Sequence, residues 1–276
     1  MRIASISARS GHRPRTLVGA AALLAAVAVG VSGCSGSGSG NTPTPAASTS
    51  DLSGSITVFA AASLTKTFTQ LGTDFEKANP ATKVTFSFAG SSDLVSQIKE
   101  GAPASVFASA DEANMKKVTD AGLAGGTPVD FATNVLSIAV PPGNPAKITG
   151  WNDLAKPGVK VVVCAPQVPC GAATAKVEQS TGVTLHPVSE ESSVTDVLGK
   201  VSSGEADAGI VYVTDVTGAG SRVQSVPFPE AAGVVNTYPI VVLTGTSNSK
   251  VADAFVGFVS GSEGRKVLSA AGFGKP

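Results

Sequence analysis

From Ser55 onward the chain alternates short β-branched runs with stretches whose apolar residues recur at helical spacing, and this alternation limits its fold more than any other feature. Ile56-Thr57-Val58-Phe59 reads as a buried strand, after which Leu64, Phe68, Leu71 and Phe75 form one apolar helical stripe at spacings of four, three and four. The stripe stops before Asn79-Pro80, because a residue preceding proline is pushed out of the helical region. Val84 to Phe88 reads as a second strand, and Leu94, Val95 and Ile98 as a short helix ended by Gly101. Val106-Phe107-Ala108 follows as a strand, and a helix is expected from about Asp111 to Ala121. Further strands are expected at Val135–Val140, Val159–Val163, Ala208–Val211 and Ile240–Leu243. Helices are expected near Gly171, at Val194–Ser202 and at Val251–Val259. Alternation at this density implies an α/β fold of parallel sheets with helices on both faces. About 220 residues suffice for two modest domains.

The N-terminal segment has a different character. Arg2, Arg9, Arg13 and Arg15 precede an apolar run from Leu17 to Val31. Its fifteen residues are fewer than the ~20 needed to cross a bilayer, and the basic-then-apolar order is that of an export signal. Val31-Ser32-Gly33-Cys34 resembles a bacterial lipobox, which implies cleavage after residue 33 and lipidation of Cys34; the alternative is an ordinary secretory signal with an incidental cysteine. Residues 34–54 are then a tether of Ser, Gly, Thr and Pro, too polar to offset its ordering entropy. Such a tether reaches on the order of 25 Å. Removing the leader removes four of twenty basic residues and none of twenty acidic ones, leaving a net charge near −4. With no basic cluster, nucleic acid is excluded as an expected partner.

Several helices open with the same chemistry: Ser63 before the first, Ser91-Ser92 at the second, Pro169-Cys170-Gly171 and Ser192-Ser193 at two later ones. Helix N-termini present unpaired N–H groups and a partial positive charge, so several converging on one cleft can hold an anion without Lys or Arg. A single serine at such a place is ordinarily an N-cap. Ser193 and Asp196 stand at capping-box spacing.

Longer segments carry a resemblance. Ser55–Ser63 (SITVFAAAS), Phe88–Leu94 (FAGSSDL), Gly101–Ala104, Ser109–Asp111, Val168–Gly171 (VPCG) and Gly209–Tyr212 (GIVY) are similar, in this order, to periplasmic molybdate-binding proteins. The resemblance implies the type II periplasmic-binding-protein fold: two doubly wound α/β domains with a ligand cleft between them. Domain 1 would be residues 55–134 plus 238–276 and domain 2 residues 135–237, with crossings near Asn134 and Tyr238. It implies ligand contacts from Ser63 and Ser91 (hydroxyl and N–H), Cys170 and Val194 (N–H) and Tyr212 (phenol). It also implies capture of molybdate and tungstate, delivery to an ABC permease with its ATPase, and a monomeric protein without cofactor; the lipobox adds lipid anchoring on the extracytoplasmic face of the membrane. All five positions are donors and none is Asp or Glu, which suits a fully deprotonated oxyanion rather than hydrogen phosphate. Sulfate is the alternative ligand within the same logic. Tyr212 read without the resemblance is equally a core tyrosine at a strand end.

Two positions depart from the family pattern: Ser105 stands where Asp is usual, and Cys170 occupies the variable place of V-P-x-G. Cys164 and Cys170 are the thiols left once Cys34 is lipidated, and the exported compartment permits a disulfide between them; two separate buried thiols are the alternative. An enzyme is not expected. A secreted α/β hydrolase is the remote alternative, yet the chain lacks a G-x-S-x-G elbow and a Walker A loop. His186 stands alone, no metal-ligand spacing occurs, and Glu190-Glu191 reads as a solvated loop.

Overall fold

The computed structural model describes residues 52–276. The leader expected over residues 1–33, the lipidation site Cys34 and the tether up to residue 51 lie outside the described residues. Leu52, at the expected tether's end, packs half-buried against the core, and the first strand begins at Gly54.

Nine strands occur among the described residues: β1 (Gly54–Ala61), β2 (Thr82–Ala89), β3 (Val106–Ala108), β4 (Val129–Val140), β5 (Val161–Cys164), β6 (Ser189–Glu191), β7 (Ala208–Tyr212), β8 (Gln224–Val226) and β9 (Val235–Val242). Eight helices alternate with them: α1 (Thr65–Ala78), α2 (Ser91–Lys99), α3 (Glu112–Asp120), α4 (Pro169–Thr181), α5 (Val194–Ser202), α6 (Val213–Ala219), α7 (Ser249–Ser260) and α8 (Ser262–Ala270). The strands join in the order β2-β1-β3-β9-β4-β7-β5-β6, with β8 on β4. β1 pairs in parallel with β2 and β3, and β5 in parallel with β6 and β7, as βαβ crossovers require. The sheet is nevertheless mixed. β9 runs antiparallel to β3 and β4, and β4 antiparallel to β7. β4 changes partner along its length: Val129–Val135 pair with β9 and Leu136–Ala139 with β7.

Alternation along β1 sends Ile56, Val58 and Ala60 to one face and Phe59 to the other. The first face packs on α1, α7 and α8, where Phe68, Phe75, Phe86, Phe131 and Phe255 interlock with ring centroids 5.4–6.3 Å apart. Each buried Phe here would cost about 3–5 kcal/mol if truncated to Ala. The second face packs on α2 and α3 through Leu94, Val95, Ile98, Met115 and Val118. A separate cluster, built on β5, β7, α4 and α5, holds Trp151 against Phe228 and extends from Leu136 to Val234.

Two local expectations are corrected. Glu190-Glu191 belongs to the edge strand β6, not to a solvated loop, and Glu191 is held by Lys200 of α5 and by the Ser189 hydroxyl. The pairing partner sits on another element, so the adjacent charges alone did not reveal it. At Ser193 only half of a capping box forms: its Oγ accepts from the Asp196 N–H, while the Asp196 carboxylate takes the Ser193 hydroxyl instead of a backbone N–H. At Ser105 the strand is intact, because its Oγ accepts the Thr57 N–H at 3.3 Å.

Candidate functional site

Five chain segments end a strand and turn toward one point. β1 runs into a short 3₁₀ turn, Ala62–Leu64, that holds Ser63. β2 runs through Gly90 into α2, whose first residue is Ser91. β5 leads to Val168, the N-cap of α4, with Pro169 and Cys170 in its first turn. β6 leads to Ser193, the N-cap of α5, with Val194 at its first position. β7 ends at Tyr212. Ser63, Ser91, Cys170, Val194 and Tyr212 all line one small cleft, which has about 200 Å³ of empty space, part of it open to solvent. Ala61, Ala62, Gly90, Ala110, Val168 and Pro169 complete its wall, and no charged side chain contributes.

The N–H groups of Ser91, Cys170 and Val194 stand in first helical turns, where no intrahelical carbonyl is available to them. Neither serine caps a helix. α1 begins after Leu64 and α2 after Gly90, with no side-chain cap bond at either, so neither hydroxyl is spent on a helix end. Burial raises the Tyr212 phenol well above its ordinary value, and the charges of Tyr238, Asp111 and Asp215 add to this, so it stays protonated and donates at neutral pH. Asp215 sits directly behind it: its carboxylate accepts the Tyr212 N–H at 2.9 Å, and burial pushes its pKa up to about 7 against that bond.

Cys164 and Cys170 are joined by a disulfide, their Cα atoms 5.7 Å apart. The loop they close turns so tightly that any Cβ at Gly171 would overlap the carbonyls of Ala165 and Cys164. A glycine is therefore required there for Cys170 to present its N–H.

Sequence reasoning missed a layer of side chains behind the cleft. Tyr238 meets the Ser63 hydroxyl at 3.1 Å, Asn236 donates to the Tyr212 hydroxyl at 3.0 Å, and Asn134 donates to Tyr238 at 3.4 Å. Asn134 and Asn236 face each other in the β4–β9 ladder, so only the strand register could have revealed them. Among the described residues no group of three His, Cys, Asp or Glu is placed to hold a metal, and His186 is exposed.

A mixed sheet, helices on both faces and a cleft rimmed by helix N-termini define a type II periplasmic binding protein. Residues 56–274 match the model of the family described as bacterial extracellular solute-binding protein. The chain belongs to that family, whose members bind solutes outside the cytoplasm and are not enzymes. It is 54% identical over 222 residues to the molybdate-binding protein ModA of Mycobacterium tuberculosis, covering 80% of this chain and 85% of that one. Among solved structures, the periplasmic molybdate-binding protein of Azotobacter vinelandii matches with a TM-score of 0.70 and 25% identity, covering 80% of this chain and 99% of that one. The substrate-binding domain of a putative molybdenum ABC transporter from Clostridium difficile matches with a TM-score of 0.60 and 27% identity, again over 80% and 99%.

Proposed function

We propose that this chain captures molybdate, and tungstate with it, and delivers the anion to an ABC-type permease and its ATPase. The observation that carries the reading is the convergence of Ser63, Ser91, Cys170, Val194 and Tyr212 on one uncharged cleft. Two hydroxyls, a buried phenol and free helix-terminal N–H groups form a donor-only lining. A fully deprotonated dianion needs only donors, whereas hydrogen phosphate also needs an acceptor for its proton. Backbone dipoles fixed at helix starts favour the negative charge without a counter-ion. No cofactor enters the reading, since the chain itself supplies every donor. The high identity to a molybdate-binding relative supports the choice of ligand.

The hydrophobic clusters on either side of the β4–β9 ladder form two lobes, residues 55–134 with 238–276 and residues 135–237. They close over the anion and present a surface that the permease reads. The protein works as a monomer, tethered through lipidated Cys34 on the extracytoplasmic face.

Titration calorimetry with molybdate, tungstate, sulfate and hydrogen phosphate tests the ligand. Molybdate and tungstate should bind at least about a hundredfold more tightly than sulfate, a difference near 3 kcal/mol. The donors suit all three, so cavity size must discriminate. Equal or tighter sulfate binding moves the protein into the sulfate class. For the anchor, Cys34→Ala should abolish lipid labelling; labelling that persists in the variant removes the lipobox.

A further inference from the structure

The geometry points to Asn236 as the positioning residue that fixes which way the Tyr212 hydroxyl gives its proton, and so makes Tyr212 a donor to the bound anion. This rests on the oxyanion reading above and concerns how that site is polarised. Asn236 is buried, and its Nδ2 makes two bonds: one to the Ala110 carbonyl at 2.9 Å and one to the Tyr212 hydroxyl at 3.0 Å. A carbonyl can only accept, so the Ala110 contact settles the amide's orientation and leaves nitrogen, not oxygen, facing the phenol. The Tyr212 oxygen then accepts from Asn236, so its own proton points away from the amide, where the cleft it lines and the Tyr238 hydroxyl stand.

The same polarity recurs at Ser91. The Ala110 N–H donates to Ser91 Oγ at 3.0 Å, so the Ser91 proton is free. Ala110 thus serves both sides of the site, its N–H filling Ser91 and its carbonyl holding the amide that fills Tyr212. Behind Ser63, the Asn134 amide is oriented by the Val135 N–H, which donates to Asn134 Oδ1 at 3.0 Å. Its Nδ2 therefore donates to Tyr238 at 3.4 Å, and Tyr238 in turn meets Ser63 at 3.1 Å, a contact in which either hydroxyl can donate. Ser91 and Tyr212 thus both accept from behind the cleft. Without such an arrangement a hydroxyl accepts as readily as it donates, and only the backbone N–H groups would select a deprotonated anion.

The test is a double-mutant cycle between Asn236→Leu and Tyr212→Phe, read by molybdate titration of the full-length protein in detergent, with thermal melting as a check on folding. Asn236→Leu should weaken molybdate binding about three- to tenfold, as expected for misdirecting one hydrogen bond. In the Tyr212→Phe background it should cause no further loss, because Asn236 acts through that hydroxyl. Asn236→Leu weakening binding equally in both backgrounds would mean that it merely holds the Ala110 loop, and overturns the assignment. Unchanged binding in the single Asn236→Leu variant overturns it too. Wild-type protein that binds no oxyanion fails the functional reading itself and takes the assignment down with it.

Discussion

Ser63 and Ser91 were legible as anion donors only through the run of motifs around them, because a serine at a helix start is most simply a cap. In the structure neither side chain caps its helix, which supports the proposed donor role. Ser63→Ala should therefore leave the melting temperature nearly unchanged, whereas Ser91→Ala also strands the buried Ala110 N–H and should melt a few degrees lower; each removes a donor to a charged ligand. That loss is worth roughly 1.5–3 kcal/mol, or about 10- to 150-fold in molybdate affinity by calorimetry. Wild-type affinity in Ser63→Ala would mean the cleft is misplaced. Asp215 was not legible at all: an acid three residues past a strand end gives no hint that it will be buried. Its pKa rises from an ordinary 3.8 to about 7 through burial. The folded state thus holds this proton more tightly than the unfolded chain. The corresponding stability is fully present below about pH 4 and is lost as the pH rises through 7. Asp215→Asn keeps an acceptor for the Tyr212 N–H and never ionises. It should melt higher than wild type above pH 8, by an amount that shrinks toward pH 4; a pH-independent difference between the two would contradict the burial account.

At the scale of elements, strand–helix alternation named most of the fold, because each apolar period is written locally. It missed α6 and α8, which are short and whose apolar residues are few. It also missed the antiparallel course of β4 and β9, since pairing direction depends on partners far away in sequence. The loop before α4 shows how an element can serve a site. Its disulfide and Gly171 together hold the Cys170 N–H at the cleft wall. A short disulfide loop adds only about 2–3 kcal/mol through the unfolded state, so its larger effect is local. Reduction should weaken molybdate binding roughly two- to tenfold, the cost of ordering a loop that the bridge had fixed, while circular dichroism stays native. Intact mass after alkylation verifies the bridge first. Unreduced, denatured protein that takes up alkyl groups on Cys164 and Cys170 would show two free thiols instead.

At the scale of the whole molecule, the proposed closure of two lobes hangs on how near the facing loops come. Gly90, between β2 and α2, lies against the carbonyl of Ser192, just before α5, so a Cβ at position 90 would overlap that oxygen. The two loops belong to different hydrophobic clusters: α2 packs beside β1 and β3, and α5 beside β5 and β7. Gly90 has φ −58° and ψ 141°, a conformation open to any L-residue, so alanine there brings no backbone strain. The glycine is needed for approach and not for flexibility. Gly90→Ala should therefore fold and melt like wild type without ligand, keep every donor, and yet be unable to bring the loops together. A cleft held ajar by one methyl leaves donors from one side out of hydrogen-bond reach of the anion, and losing one charged-group bond is worth about tenfold or more. The loss should fall on the dissociation rate, because closure is what retains the ligand. Small-angle scattering gives the independent measure: the radius of gyration should contract on adding molybdate to the wild type and stay constant for Gly90→Ala. A variant that binds as tightly as wild type and contracts with it would show that these loops do not form the closing contact.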